Sequence, residues 1–257
     1  MFIKKVGCLI ILLLLTNYVF AFDHSHKSFN AILQKYVKIH GKQSLFDYKS
    51  MKHNNSKLPI YLKSISAVNK KEYKKFLKKQ KLAFLINAYN GFTIQLILDN
   101  YPVKSIKDIG SFFSSTWKKK FFTFLGKKSH LDNIEHGMIR KQFNEPRIHF
   151  AVNCASIGCP SLQAKAFTEH NLEELLEAGT KNFLSNKVKN RLNKKNKKLK
   201  LSKIFKWYGE DFEKKFGSIE KFVAKYMSKD IVDQKAIAQK MFEIDWTDYD
   251  WSLNKVE

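Results

Sequence analysis

The chain has 257 residues, 44% of them hydrophobic and 14% aromatic, with three cysteines and a formal net charge of +24. That apolar content is enough for one sizeable core and excludes wholesale disorder, while four prolines and ten glycines exclude a low-complexity or collagen-like chain. Three cysteines exclude a disulfide scaffold, and a single long apolar run excludes a polytopic membrane protein.

That run opens the chain. Lys4 and Lys5 precede an apolar stretch from Val6 to Leu15, and Val19-Phe20-Ala21 supplies a cleavage site after Ala21. Residues 1–21 therefore read as a signal peptide, too short to span a bilayer comfortably; an uncleaved anchor is the alternative. No lipid-attachment pattern precedes Cys8. The mature protein would be exported, periplasmic or secreted, and would still be strongly basic.

Of the 47 basic residues, 44 are lysine and three are arginine: Arg140, Arg147 and Arg191. Nucleic-acid readers depend on arginine forks and on basic patches with exposed aromatics, whereas lysine here is spread over nearly every segment. No nucleic-acid partner is expected. Non-specific attraction to anionic envelope surfaces is.

After the signal, Ser28 is placed to cap a helix through Ile32, Leu33, Tyr36 and Val37, and Lys52–Lys57 reads as a loop. Asn69-x-x-Glu72 predicts a capping box opening a long helical region. From Leu82 to Asn90 that region is apolar nearly all round, the mark of a central helix, and Tyr101-Pro102 ends it. Phe121–Leu125 with Gly126-Lys127-Lys128 predicts a strand and turn. Asp132-x-x-Glu135 predicts a second capping box, opening a helix to about Gln142, and Arg147–Asn153 alternates like a buried strand.

Thr168–Leu184 reads as a helix, Lys187–Leu201 as a polar hairpin, and Ile204–Phe216 and Ile219–Met227 as helical, before a strand near Phe242–Trp246. With no repeat and no linker, the expectation is a helix-rich α+β single domain with a small mixed or antiparallel sheet. Residues 22–80 would form an N-terminal helical region packed on a main domain of 81–257.

The two mature cysteines lie in Asn153-Cys154-Ala155-Ser156-Ile157-Gly158-Cys159-Pro160. An oxidising compartment favours a disulfide, which over so short a loop contributes only about 2 kcal/mol. Alternatively Cys154 is a nucleophile just past a buried strand, in a loop of small residues that leaves room for substrate. A half-zinc site needs two further ligands at a spacing looser than CxxC, and no metal or other cofactor is expected.

A nucleophilic Cys154 needs a base. Strand alternation would put His149 on the face opposite Cys154, leaving His136, beside Glu135, as the better candidate. His136 also shares a helix face with Arg140 at i,i+4 spacing. The plainer alternative is that Glu135 closes the capping box and His136 packs against the strand.

Two arginines within eight residues, in a chain otherwise built on lysine, point to planar carboxylates, internal or on a substrate, at Arg140 and Arg147. Asn87 and Asn90, three apart in the most apolar helix, must be hydrogen-bonded; they either fix a loop or enter a pocket.

Leu85-Ile86-Asn87-Ala88-Tyr89-Asn90, Leu131–Arg140, Arg147–Pro160, Leu201–Tyr208 and Tyr249–Asn254 together resemble the DUF547 family over most of the mature chain. Leu85 stands where the family often has tryptophan, and Ser161 where it often has a second proline. The resemblance implies an exported bacterial protein of a family without an established activity. Asn87, Asn90, Glu135, His136, Arg140, Arg147, His149, Asn153, Cys154 and Cys159 fall on its motif positions, and no role is carried onto them.

The leading expectation is a thiol-dependent hydrolase or transferase acting on a small-molecule, peptide-like or acyl substrate. Cys154 would be its nucleophile, His136 its base and Glu135 the orienter, with Arg140 or Arg147 clamping a carboxylate. Asn87, Asn90 and Asn153 are substrate-binding candidates, and an asparagine amide or a backbone N–H after Cys154 would stabilise the oxyanion. The rival is a non-catalytic envelope protein that binds an anionic ligand, with Cys154–Cys159 a structural disulfide.

Overall fold

The structure, a computed structural model, describes residues 21–54, 57–110 and 115–257. The expected signal peptide up to Phe20 lies outside the described residues. No helix among the described residues is long and apolar enough to cross a membrane.

The chain is a helix-rich α+β domain built around the helix Lys78–Asn100, which is buried almost continuously from Leu82 to Leu98. It is apolar on every side because it is covered on every side. The expected long helical region is in fact two helices. Asn69 caps a short one, Lys70–Lys75, by accepting the Glu72 N–H at 2.9 Å. The Glu72 carboxylate does not close the box; it accepts the Phe22 N–H at 3.0 Å, and the chain is extended at Phe76 and Leu77 before the central helix begins.

Helices Lys27–Tyr36, Tyr48–His53 and Leu58–Ala67 pack on this axis, with Phe29 stacked on Tyr61 at 4.8 Å. The helix Tyr48–His53 takes up part of the expected loop, capped by the Asp47 side chain. Two antiparallel hairpins, Val37–His40 with Gln43–Phe46 and Phe122–Phe124 with Lys127–Ser129, close the first core, and Phe92 stacks on Phe122 at 3.8 Å.

A second core gathers Phe150, Phe183, Phe205, Phe212 and Phe222. One side is a three-stranded mixed sheet: Arg191–Asn193 antiparallel to Lys198–Ser202, which runs parallel to Glu243–Thr247. The other is helical, from Lys203–Trp207, Gly209–Phe216, Ile219–Met227 and a further helix, Ile231–Ala238. The helix Leu172–Ser185 begins in the first core with Leu175 and ends in the second with Phe183. Its expected start at Thr168 is a cap instead, Thr168 and Asn171 bonding each other's backbone N–H.

Two sequence expectations near the site are corrected. Arg147–Asn153 is not a strand: Pro146–Phe150 is a 3-10 turn, started by Pro146 and by the Glu145 side chain on the Arg147 N–H. The Asn90 side chain then does what a neighbouring strand would do, donating to Ala151 O at 2.9 Å and accepting the Asn153 N–H at 2.8 Å. Asp132 is likewise no N-cap. It is already helical, and His130 accepts the Asn133 N–H in its place at 3.1 Å.

Candidate functional site

Between the two cores lies a cleft of about 270 Å³. One wall is the π-helical turn Asn133–Ile139, in which the Arg140 N–H reaches back five residues to Glu135 O. Such wide turns recur at functional sites because they re-aim side chains. Gly137 permits this one, since a Cβ there would lie 2.6 Å from Asn133 Oδ1.

Freed from capping, Glu135 is buried and lines the cleft. The Tyr89 and Tyr208 hydroxyls hydrogen-bond to it, and burial together with the Glu135 charge pushes both phenols well above the usual tyrosine range. Half-exposed His136 also lines the cleft. Its Nδ1 accepts from Arg140 Nη1 at 2.8 Å, so in neutral imidazole the proton sits on Nε2, 3.7 Å from Asp132 Oδ1.

Arg140 otherwise grips Asp211 with both arms of its fork, Nε to Oδ2 at 2.6 Å and Nη2 to Oδ1 at 2.9 Å. Asp211 Oδ2 also accepts from His149 Nε2 at 2.7 Å. Burial alone would raise the Asp211 carboxyl, but His149 and Arg140 hold it well below the usual carboxylate range. Burial lowers the His149 imidazole against the opposing pull of Asp211. His149 stacks on Tyr208 at 3.9 Å and lines the cleft, and its buried Nδ1 has no hydrogen-bond partner.

The opposite wall is the loop of Cys154 and Cys159, which are joined in a disulfide with Cα atoms 6.2 Å apart. In this form neither sulfur is a free nucleophile or a thiolate for zinc. Cys159 is buried and its Sγ accepts the Cys154 N–H at 2.9 Å, while Cys154 is only partly buried. The Ser156 and Tyr249 hydroxyls lie 3.2 Å from Cys154 Sγ. Gly158 lets the loop close on Tyr249: a Cβ there would be 2.8 Å from the ring. Its N–H bonds Asp250 O at 2.7 Å.

The structure thus brings Glu135, His136, Cys154 and Cys159 into one cleft, with His149 among them. The expected separation of His149 from Cys154 fails because it assumed strand alternation through what is a 3-10 turn. The other candidates hold the scaffold. Asn87 bonds both backbone groups of Phe167 (2.7 and 3.0 Å), and Asn90 bonds Ala151 and Asn153. Asn153 bonds Pro160 O and the Ala155 N–H, both at 2.8 Å.

Arg147 is spent on Glu145, Glu173 and Glu177, with contacts from 2.6 to 3.4 Å. Neither Arg140 nor Arg147 therefore keeps a free fork for an anionic ligand. Asp211 was absent from the sequence reading. It lies in the first turn of its helix, where acids are common for dipole reasons, and no motif singled it out. Among the described residues no group of three or more His, Cys, Asp or Glu is placed to hold a metal ion.

Fold and cleft together define a two-core α+β domain with a disulfide-walled, aromatic site. Residues 73–184 match the DUF547 family model, described as a protein of unknown function. No curated protein and no solved structure matches the chain. The matched segment contains Glu135, His149 and the disulfide, while Tyr208, Asp211, Tyr249 and Trp251 lie beyond it.

Proposed function

We propose that the cleft is the active site of an exported thiol-dependent hydrolase or transferase for a peptide-like or acyl substrate. Cys154 is its nucleophile, and the base is His149 rather than His136. The observation that carries this is the Asp211–His149 pair: Asp211 accepts the hydrogen bond from Nε2–H, leaving Nδ1 with a free lone pair on a histidine that shares the cleft with Cys154. An acid-oriented histidine beside a cysteine is the arrangement that activates thiols. His136 is the poorer base because Arg140 already donates to its Nδ1.

The disulfide is the resting form. A dithiol reductant converts it to two thiols and is itself oxidised to a disulfide. His149 Nδ1 then takes the Cys154 proton, the thiolate attacks the acyl carbon, and the imidazolium, stabilised by Asp211, returns the proton to the leaving group. Water or an acceptor nucleophile releases the acyl group. The Ser156 and Tyr249 hydroxyls beside the sulfur are donors for the developing oxyanion. Export is supported by the N-terminal segment and by a disulfide that suits an oxidising compartment.

Alkylation kinetics of the reduced protein test this without a known substrate. Cys154 is expected to react before buried Cys159, with an apparent pKa below the unperturbed ~8.5. Asp211→Asn and His149→Gln, each checked for an intact fold by circular dichroism, are expected to move it back toward that value. An unperturbed Cys154, or one indifferent to both substitutions in folded protein, overturns the assignment and leaves the bond as a brace of the cleft wall.

A further inference from the structure

In a chain with 47 basic residues out of 257, the lining of the cleft includes no lysine and no arginine among the described residues. It does include two carboxyl groups, Asp132 and Glu135. Glu135 is 4% exposed and makes no ion pair in direct contact among the described residues; its hydrogen-bond partners are the two phenols, and Arg140 and His149 act on its charge only from farther off. Asp132 has only the 3.7 Å contact with half-exposed His136. A buried carboxylate without a cation is costly unless something else compensates it.

The mouth of the same cleft is aromatic. Tyr249 lies 4.8 Å from Trp207 and 4.6 Å from Trp251, measured between ring centroids, and Trp117 packs edge-on to Trp251 at 5.8 Å. Indole faces attract cations at roughly 0.5–2 kcal/mol per ring, tryptophan most strongly. One ring already shows the preference: Lys107, which is not a lining residue, sets its Nζ 4.1 Å from the Trp251 centroid.

We infer that the cleft binds an organic ammonium group, caged by Trp117, Trp207, Tyr249 and Trp251 and neutralised by Glu135 and Asp132. No lysine or arginine lines this concave surface, so apart from Trp251, which Lys107 already covers, its rings are left to a cation that is not the protein's own. This inference needs only the cleft, and it holds whether or not Cys154 is a nucleophile.

The test uses the oxidised protein and follows the indole N–H signals of its four tryptophans by NMR. Trp246 does not line the cleft and serves as the internal control. The probes are choline, its neutral isostere 3,3-dimethylbutan-1-ol, n-propylammonium, and 3,3-dimethylbutyrate. Choline or n-propylammonium is expected to shift Trp117, Trp207 and Trp251 saturably and leave Trp246 still. The preferred cation distinguishes a quaternary from a primary ammonium ligand.

The neutral isostere is expected to bind about tenfold more weakly than the better cation. Glu135→Gln should remove that preference without affecting the alcohol. Trp207→Leu, at a ring that is 45% exposed and outside both cores, should weaken the cation in a protein whose fold is not at risk. Equal binding of alcohol and cation, stronger binding of the carboxylate, or no saturable shift with either ammonium overturns the inference.

Discussion

Replacing Asn153 with alanine is expected to lower the melting temperature by about 10 °C, although the side chain is polar and carries no charge. The amide is buried. Its Nδ2 donates to Pro160 O at 2.8 Å, and its Oδ1 accepts the Ala155 N–H at 2.8 Å and Asn254 Nδ2 at 3.4 Å. Alanine leaves these groups without partners, each at about 1–3 kcal/mol, and a loss near 3 kcal/mol follows if water reaches some of them.

The Ala155 bond also holds a residue at φ 60°, a left-handed conformation that a non-glycine residue adopts only under constraint. The loss should therefore exceed that of Asn182→Ala, a partly buried amide whose Nδ2 donates to Lys42 O and Ser161 Oγ, both at 3.2 Å. Thermal unfolding of the two variants side by side is the measurement. Equal shifts would show that the Asn153 clamp does not hold the loop.

Much of the fold was legible because periodicity and punctuation agreed. The central helix announced itself by being apolar all round from Leu82 and by stopping at Tyr101-Pro102, and the polar hairpin and late strand fell where turn residues and alternation put them. The failures share a cause. At Arg147–Asn153 a run in which both faces are buried was read as alternation, because tertiary packing buried Ile148, His149 and Phe150 in succession. At Asp132 a capping-box spacing occurred inside a helix, where the N-cap role had passed to His130. Side chains from distant elements decided both, and neither Asn90 nor His130 can be assigned such a role from local sequence.

The site was half legible for the same reason. Glu135, His136, Cys154 and Cys159 stand in compact motifs, and they do meet in one cleft. Asp211 is 62 residues from His149 and 71 from Arg140, and it belongs to a helix whose sequence shows only amphipathicity. Of the two roles open to Asn87 and Asn90, fixing a loop or entering a pocket, the backbone bonds show the first, because buried backbone needs partners as much as a ligand does. The missing basic residues could have been noticed only once the lining was known, since lysine density along the chain says nothing about which surface is concave.

The second large effect belongs to Lys189. Its ammonium reaches under the disulfide loop, donating to Cys159 O at 2.5 Å and to Gln43 Oε1 at 2.7 Å. Burial lowers its pKa to about 7, with the Asp250 charge opposing only in part. Its unfolded value is the ordinary lysine one, so between about pH 7 and about pH 10.5 the unfolded chain binds a proton that the native protein does not. Stability must then rise with pH across that window and level off below it, where both states are protonated.

Lys189→Met removes this term and also two hydrogen bonds, whose loss is nearly independent of pH. The parent is therefore expected to gain about 3 kcal/mol relative to the variant between about pH 7 and about pH 9.5, and nothing further between about pH 5 and about pH 6. The other lysines titrate in both proteins and cancel in the difference. Urea unfolding of the pair across that range measures it. A stability difference that stays flat with pH would place the ammonium in contact with water and detach the lower edge of the disulfide loop from any influence of pH.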